Sequence, residues 1–581
     1  MKPSSLLKFQ IGPVQEFIAQ ARSTRDLWSG SYLLSWLMAA GIARLLKEGG
    51  TPIFPAADDQ PLVAFHLGNQ APGDQKALLT PNLPNLFVAR VPVEPLERAK
   101  AIAMSVVDAI KAEWVAIASS VWDEHSELGI GAEHEARFNA QVNRFLSISW
   151  QITPETGADS YAEDYGNNGW HLDAVRQTRE FAAWGAGQIR VGGDKDSLNG
   201  RDEAVAGGKD ALARVETRFK HLFKHDDHLG AVTLIKRVWH LTFLAGKRGL
   251  KTGLGEFKIR STRAIAARDS RDDDDENTET SHGDKYLAAI AFDGDSIGAW
   301  VSGDKLTDKS ELREHHSNFS HCLSKFALDR ARKIIEGDEP APKDGHFKGF
   351  LVYAGGDDVV ALVPAEDAIG IAQELRNAFC EETTSIGQNE HPDASAGIAI
   401  AHFKSPLQDL IREAQSAEKR AKNIVGRPAF SVTLMKRSGE IAHWGCKWDS
   451  GGVELHDAIA TALRNGDLSV KFPHRVCALL EPYLTQRTGL GQMEDAADFN
   501  AEEVIGREFA HAISRQSPHD KASDNAATLG PMLDSYLARM AATAHDPQTL
   551  LTAVIGLCTT VAFADRNRAE PSLVEKQPLS P

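Results

Sequence analysis

The most regular pattern of apolar and polar positions lies between residues 285 and 435. A continuous apolar run, Tyr286 to Phe292, has the length of a buried strand and stops at Asp293-Gly294-Asp295. Helical spacing covers about Glu311 to Ile335. Two short apolar runs, within Phe347 to Val363, flank Gly355-Gly356-Asp357-Asp358 and predict a hairpin whose paired glycines supply positive φ angles. A helix follows with Ala368, Ile371, Ala372, Leu375 and Phe379 on one face, then a strand over Ala394 to Ala401. Ser405 is expected to cap a helix that Pro406 opens, with Leu407, Leu410, Ile411 and Ala414 inward. Phe430 to Leu434 reads as the last strand. The order β-α-β-β-α-β is the ferredoxin-like split motif.

A fainter version occupies the first third of the chain. Leu6 to Ile11 reads as a strand, and Pro13 opens a helix carrying Val14, Phe17, Ile18 and Ala21. A longer helix spans Thr24 to Leu46, with Leu34, Leu37, Met38, Ile42 and Leu45 on one face. Strand Leu86 to Val91, helix Glu97 to Ser119 and strand Leu146 to Ile152 complete an α+β unit. Gly12-Pro13 is followed by Val14 and Gln15 rather than carboxylates, so this unit is expected to be non-catalytic. Helices are predicted near Ala211 to Phe223 and His228 to Phe243, and again over Ala458 to Leu463, Val476 to Tyr483, Ala501 to Ile513 and Leu529 to Ala544. The Gly-, Asp- and Arg-rich stretch Trp184 to Ala206 contains Val191-Gly192-Gly193-Asp194-Lys195-Asp196 but lacks phosphate-loop spacing, and reads as a linker. The acidic run Asp272 to Glu276 within Arg268 to Asp284 reads as another, and the residues after Asp565 as a tail.

The expected organisation is therefore 1–190, 191–267 (small and helical), linker 268–284, 285–440 (catalytic) and 441–581 (all-helical). A chain of 581 residues suits several domains. Its formal charge of −16 argues against nonspecific coating of nucleic acid, without excluding a local basic groove. Five scattered cysteines, with no CxxC pair, fit a reducing compartment rather than a disulfide framework or zinc knuckle. No signal peptide or run of about 18 apolar residues is evident, so a cytoplasmic protein without membrane contact is expected.

The split motif makes its first and third strands neighbours. Asp293 should then lie close to Asp357 and Asp358, with Gly294 in the same loop. Carboxylates gathered this way suit Mg²⁺ (or Mn²⁺), which takes oxygen ligands and leaves positions for phosphates. Two such ions can bridge the attacking oxygen and the leaving group of a phosphoryl transfer. The backbone amides of Ser296, Ile297 and Gly298, at the start of the next helix, are candidate phosphate donors. Lys422, or else Lys419 or Arg420, would supply compensating charge. Asp295 is either a further ligand or a helix cap.

At this point the chain resembles the large, polymerase- and cyclase-related subunit of type III-B CRISPR effector complexes, the Cmr group. The residues that carry the resemblance are Phe9-Gln10-Ile11-Gly12-Pro13-Val14-Gln15-Glu16-Phe17, Thr24-Arg25-Asp26-Leu27-Trp28-Ser29-Gly30, Ser261-Thr262-Arg263-Ala264-Ile265-Ala266, Asp293-Gly294-Asp295, the GGDD turn, and Ala417-Glu418-Lys419-Arg420-Ala421-Lys422. The resemblance implies two ferredoxin-like palm domains, the second converting ATP into short cyclic oligoadenylates. It carries over Asp293, Asp357 and Asp358 as metal-binding and catalytic residues, and Gly355 and Gly356 as the turn that admits nucleotide. It implies partners too: a CRISPR RNA, a target RNA that activates synthesis, and further Cmr subunits, so the chain is not expected to act alone.

Two departures from the family pattern stand out. Many relatives open with an HD nuclease domain, whereas here Met1 lies almost at the first palm. The dipeptides His225-Asp226, His456-Asp457, His519-Asp520 and His545-Asp546 lack companion ligands, so no DNase activity is expected. The middle segment also has none of the zinc cysteines found in many relatives. Competing readings are a catalytically silent scaffold, a two-metal phosphodiesterase (which lacks His ligands here), and an enzyme that joins AMP to another acceptor.

Overall fold

The computed structural model describes residues 4–564 apart from 59, 69–74, 93–95, 132, 158–159, 179–193, 214–221, 251–258, 269–284, 338–347, 388–389, 485–498 and 543–545. The acidic run, most of the predicted helix at Ala211 to Phe223, His545 and the tail fall outside the described residues.

The first unit runs β1 (Ser4–Gly12), α1 (Gln15–Ala19), α2 (Thr24–Lys47), β2 (Thr51–Phe54), β3 (Leu86–Pro92), α3 (Leu96–His125), α4 (His134–Phe145), β4 (Ser147–Pro154) and α5 (Tyr161–Gln177). Its four strands lie in the order β2-β3-β1-β4, with every neighbouring pair antiparallel. Helix α2 starts with a capping box between Ser23 and Asp26, and is buried almost all round over its first four turns. The single face expected from periodicity understates this, because α2 is wedged among the sheet, α3 and the helix α6 described next. Helix α1 is shorter than the spacing predicts. It begins after Val14, and Ala21 lies beyond its end.

Helix α6 (Ala231–Trp239) continues as a π turn to Ala245 and packs on α2, α3 and α4. His228 and Leu229 form a two-residue ladder with Ala206 and Gly207 instead of opening the helix. The described part of the expected linker is folded onto the protein, with Asp196 and residues 203–206 buried and Asp194, Lys195, Ser197, Gly200 and Arg201 exposed. Asp196 is buried and accepts from the amides of Leu198, Asn199 and Gly230, which fixes residues 194–206 against α6.

The second unit contains β5 (Tyr286–Gly294), α7 (Ile297–Val301), a long helix α8 over 312–336 with a π turn at Phe326–Ala331, β6 (Phe350–Gly355), β7 (Asp358–Pro364), α9 (Ala368–Thr383), β8 (Ala394–His402), α10 (Leu407–Arg420) and β9 (Ala429–Met435). A strand the periodicity missed, β10 (Ile441–Lys447), pairs with β9, so the sheet extends past the expected boundary at residue 440. The order is β10-β9-β8-β5-β7-β6, and β8-β5-β7-β6 repeats the order of the first sheet. Ser405 does not cap α10 through its side chain. Pro406 holds the cap position, and the Ser405 amide donates to the His402 carbonyl.

Strand alternation splits the second sheet between two cores. Ala288, Ile290 and Phe292 face α8, α9 and the C-terminal helices, while Leu287, Ala289 and Ala291 face α10 and the first unit. Five further helices, α11 (Gly452–Arg464), α12 (Phe472–Leu480), α13 (Ala501–Gln516), α14 (Ala522–Ala541) and α15 (Pro547–Ala564), extend the first of these cores. No helix among the described residues is long and apolar enough to cross a membrane.

Candidate active site

The GGDD segment is a two-residue turn. Gly355 pairs with Asp358 across the β6–β7 ladder, leaving Gly356 and Asp357 at the tip. Only Gly356 has positive φ, at 84°, as the first central position of a type II′ turn requires. The expectation that both glycines serve φ is corrected at Gly355, which is needed for space. A Cβ built there would lie 1.7 Å from Tyr353 Oη. The tyrosine ring thus folds over the turn, and its hydroxyl is pushed well above its usual pKa by burial, Asp358 and Asp357.

Strand register brings the distant carboxylate to this turn. Phe292 of β5 pairs with Val359 of β7, and one further step would set Asp293 opposite Asp358. Asp293 shares a face with Ala291, and Asp358 with Val360, so both belong to the side facing the first unit. Asp357 packs over Gly294, where an added Cβ would stand 3.1 Å from the Asp357 Cβ. Burial and the Asp293 charge raise Asp357 to about 7. Burial, Asp293, Asp357 and Glu418 push Asp358 well above the carboxylate range.

Lys422 supplies the expected counter-charge. It sits in a π turn that ends α10, pairs with Asp293, lies 2.8 Å from Glu418 and 3.3 Å from the Gly294 carbonyl. Burial works against its charge, but Asp293 and Glu418 outweigh that and raise its pKa. Glu418 escaped the sequence reading as a site residue; its i,i+4 spacing to Lys422 was the available signal. Arg420 is not part of the cluster, since it bonds Ser431 and Thr433 on β9. Asp295 does not cap α7. It is buried, accepts both bonds from Ser395 Oγ at 2.9 and 2.8 Å, and burial lifts it to about 6.

A cavity of about 700 Å³ opens over the cluster between the two sheets. The second unit lines it with Asp293, Tyr353, Asp358, Glu418 and Lys419, the first with Gln10, Gly12, Asn85, Ser147 and Arg176. Ser296, Ile297 and Gly298 do not line it. Helix α7 does begin at Ile297, as expected, but it has only five residues and Ser296 takes a left-handed φ of 55°.

The donors fit a hard divalent cation: three carboxylates that repel one another, with the Gly294 carbonyl beside Asp293. Among the described residues no three carboxylate, thiol or imidazole groups are already gathered closely enough to hold a metal ion, and Lys422 engages Asp293. Of the HD dipeptides, His225-Asp226 is an exposed pair, and His456 bonds Asp457 and stacks on Trp444.

Residues 286–431 match the family model for the second palm domain of Cas10/Cmr2, and residues 6–119 that for the N-terminal part of the CRISPR-associated protein Cmr2. The CRISPR system Cmr subunit Cmr2 of Pyrococcus furiosus is 24% identical over 556 residues, covering 76% of this chain; the match spans 62% of that relative. Two cryo-EM structures of a type III-B Cmr-beta complex, apo and bound to cognate target RNA, contain a chain of similar fold. Their TM-scores are 0.61 and 0.58, at 11% and 12% identity, covering 89% of this chain and 78% of theirs. Set beside the two matching sheets and the acidic turn, these relationships make the chain similar to the Cas10/Cmr2 family over two separate stretches, the second of which holds the acidic turn.

Proposed function

We propose that the chain is an RNA-activated nucleotidyltransferase that joins ATP into cyclic oligoadenylates, as the large subunit of a type III-B CRISPR RNA-guided complex. The observation that supports this reading is the strand register that sets Asp293 and Asp358 together on the wall of a cavity of about 700 Å³, with Asp357 at the adjoining turn. Asp293, Asp357 and Asp358, with the Gly294 carbonyl, would hold Mg²⁺ or Mn²⁺. Bound there, the metal supplies charge neutralisation at the reacting phosphate and the departing pyrophosphate.

The chain's own groups position the reactants. Gly355 and Gly356 keep the turn free of side chains, so a triphosphate can approach its backbone. Lys422, and Lys419 on the cavity wall, balance phosphate charge. The 3′-hydroxyl of one ATP attacks the α-phosphorus of another. The new O–P bond replaces the bond to the bridging oxygen, pyrophosphate leaves, and the hydroxyl proton passes to solvent. CRISPR RNA, target RNA and further Cmr subunits are the proposed partners.

A silent scaffold is the second reading, favoured by the Lys422–Asp293 contact where a metal would need that carboxylate. One experiment separates the two. Assembled complex receives target RNA, Mg²⁺ and labelled ATP, and products are resolved by mass. Pyrophosphate with new cyclic adenylates supports the proposal, adenylate on a different acceptor changes the product class, and no product from an activated complex supports the scaffold.

A further inference from the structure

Lys236 is one of the few fully buried lysines a mixed-charge protein keeps, and the chemistry above does not use it. It lies on α6, outside both sheets, with 3% of its surface exposed. A buried ammonium must place its three donors. Here they go to backbone carbonyls at the end of α1: Phe17, Ile18 at 3.1 Å and Gln20 at 2.9 Å. The ammonium also sits 4.6 Å above the Phe17 ring. Burial lowers its pKa to about 7, with Arg237 adding to that effect and Asp26 and Asp196 opposing it.

The surroundings are built to admit this side chain. Gly30 of α2 lies against its stem, where an added Cβ would stand 2.5 Å from Lys236 Cε. The Lys236 carbonyl accepts from Ser29 Oγ, and the next residue, Arg237, pairs with Asp227 at 2.6 Å and faces Asp26 at 3.6 Å. Helix α1 itself has five residues, too few to hold its own shape, and leaves its last carbonyls without helical partners. Yet Gln15, Ile18 and Ala19 of this helix form one wall of the cavity above Asp293 and Asp358. A cation at the C-terminal end of a helix is also electrostatically favourable.

We propose that Lys236 is a positioning residue of the cavity: its ammonium gathers the end of α1 and so sets the wall formed by Gln15, Ile18 and Ala19. The consequence for catalysis rests on the reading of that cavity as the nucleotide site. Lys236 touches no reacting atom in this arrangement. It acts through α1, and it ties the wall to a helix that belongs to neither sheet.

The test uses the assembled complex with Lys236→Met, which keeps the stem and removes the donors. Hydrogen exchange should accelerate about tenfold or more in α1 peptides, while β5 and β7 peptides keep wild-type rates. The ATP concentration at half-maximal synthesis should rise several-fold with kcat changed less than twofold, a split that general destabilisation would not give. Gly30→Ala is the second variant, for use if Lys236→Met does not assemble. It keeps the charge but displaces the stem, and should shift both readouts in the same direction by less. Unchanged α1 exchange in an assembled variant overturns the proposal. Faster α1 exchange in a wild-type-active complex with unchanged KM also overturns the catalytic consequence. If wild-type complex makes no product, the cavity reading fails instead, and the exchange result still decides whether Lys236 holds α1.

Discussion

The molecule contains the same four-stranded arrangement twice, and only one copy carries an acidic cluster. In both, the first strand ends on a glycine, Gly12 in β1 and Gly294 in β5, and Gly12 and Asp293 line the shared cavity. The preceding residue is Ile11 in one and Asp293 in the other. The second and third strands are joined by the long segment 55–85 in the first sheet and by the two-residue turn Gly356-Asp357 in the second. The fold therefore sets where a site can form, and the residues at the strand ends and turn differ between the two copies. The first unit serves as a wall, through Gln10, Asn85, Ser147 and Arg176.

The sharpest way to break this comparison is to erase the acidic turn. Asp357→Ala with Asp358→Ala should lower cyclic adenylate synthesis by about 10³-fold or more, with assembly and RNA binding intact; product quantified by mass checks it. Next come the two glycines, which should fail for different reasons. Gly356→Ala places a methyl group at φ 84° and should cost about 1–2 kcal/mol. Gly355→Ala drives Cβ into Tyr353 Oη and should cost about 1–3 kcal/mol through overpacking. Urea unfolding of both variants gives the comparison, and truncating Tyr353 should relieve only the second.

A third expectation concerns pH. Asp357 titrates at about 7 in the folded chain against 3.8 ordinarily. The folded form therefore holds the extra proton between those values, and this group's contribution to stability falls as pH rises through that window and is flat above it. Asp357→Asn should raise the Tm at pH 8 by roughly 2 °C or more and leave it unchanged near pH 3.5, read by calorimetry. The smallest effect belongs to the first unit. Arg176→Ala should raise the KM for ATP by roughly two- to fivefold with kcat nearly unchanged, as befits a wall rather than a reacting group.

Much of this site was legible along the chain because strand register is set by hydrophobic alternation. The run Tyr286–Phe292 and the pair of runs around GGDD were enough to bring Asp293 to the turn. What escaped has physical reasons. Strand β10 alternates weakly, since Ile441 and His443 are exposed at a sheet edge. Helix α5 has almost no apolar stripe, with Asn168 and Asp164 among its buried residues. Glu418 needed the partner chosen by Lys422, and the Gly355 requirement came from a side chain two residues away rather than from turn chemistry. The role of Asp295 depended on Ser395, a contact only the sheet could reveal.

The most direct measurement of the central claim is Mn²⁺ binding to the full chain in the presence of a non-hydrolysable ATP analogue, followed by electron paramagnetic resonance. Wild-type protein should bind the ion, and Asp293→Ala, Asp357→Ala and Asp358→Ala together should abolish binding without unfolding the chain. Undiminished affinity in the triple variant would contradict the account.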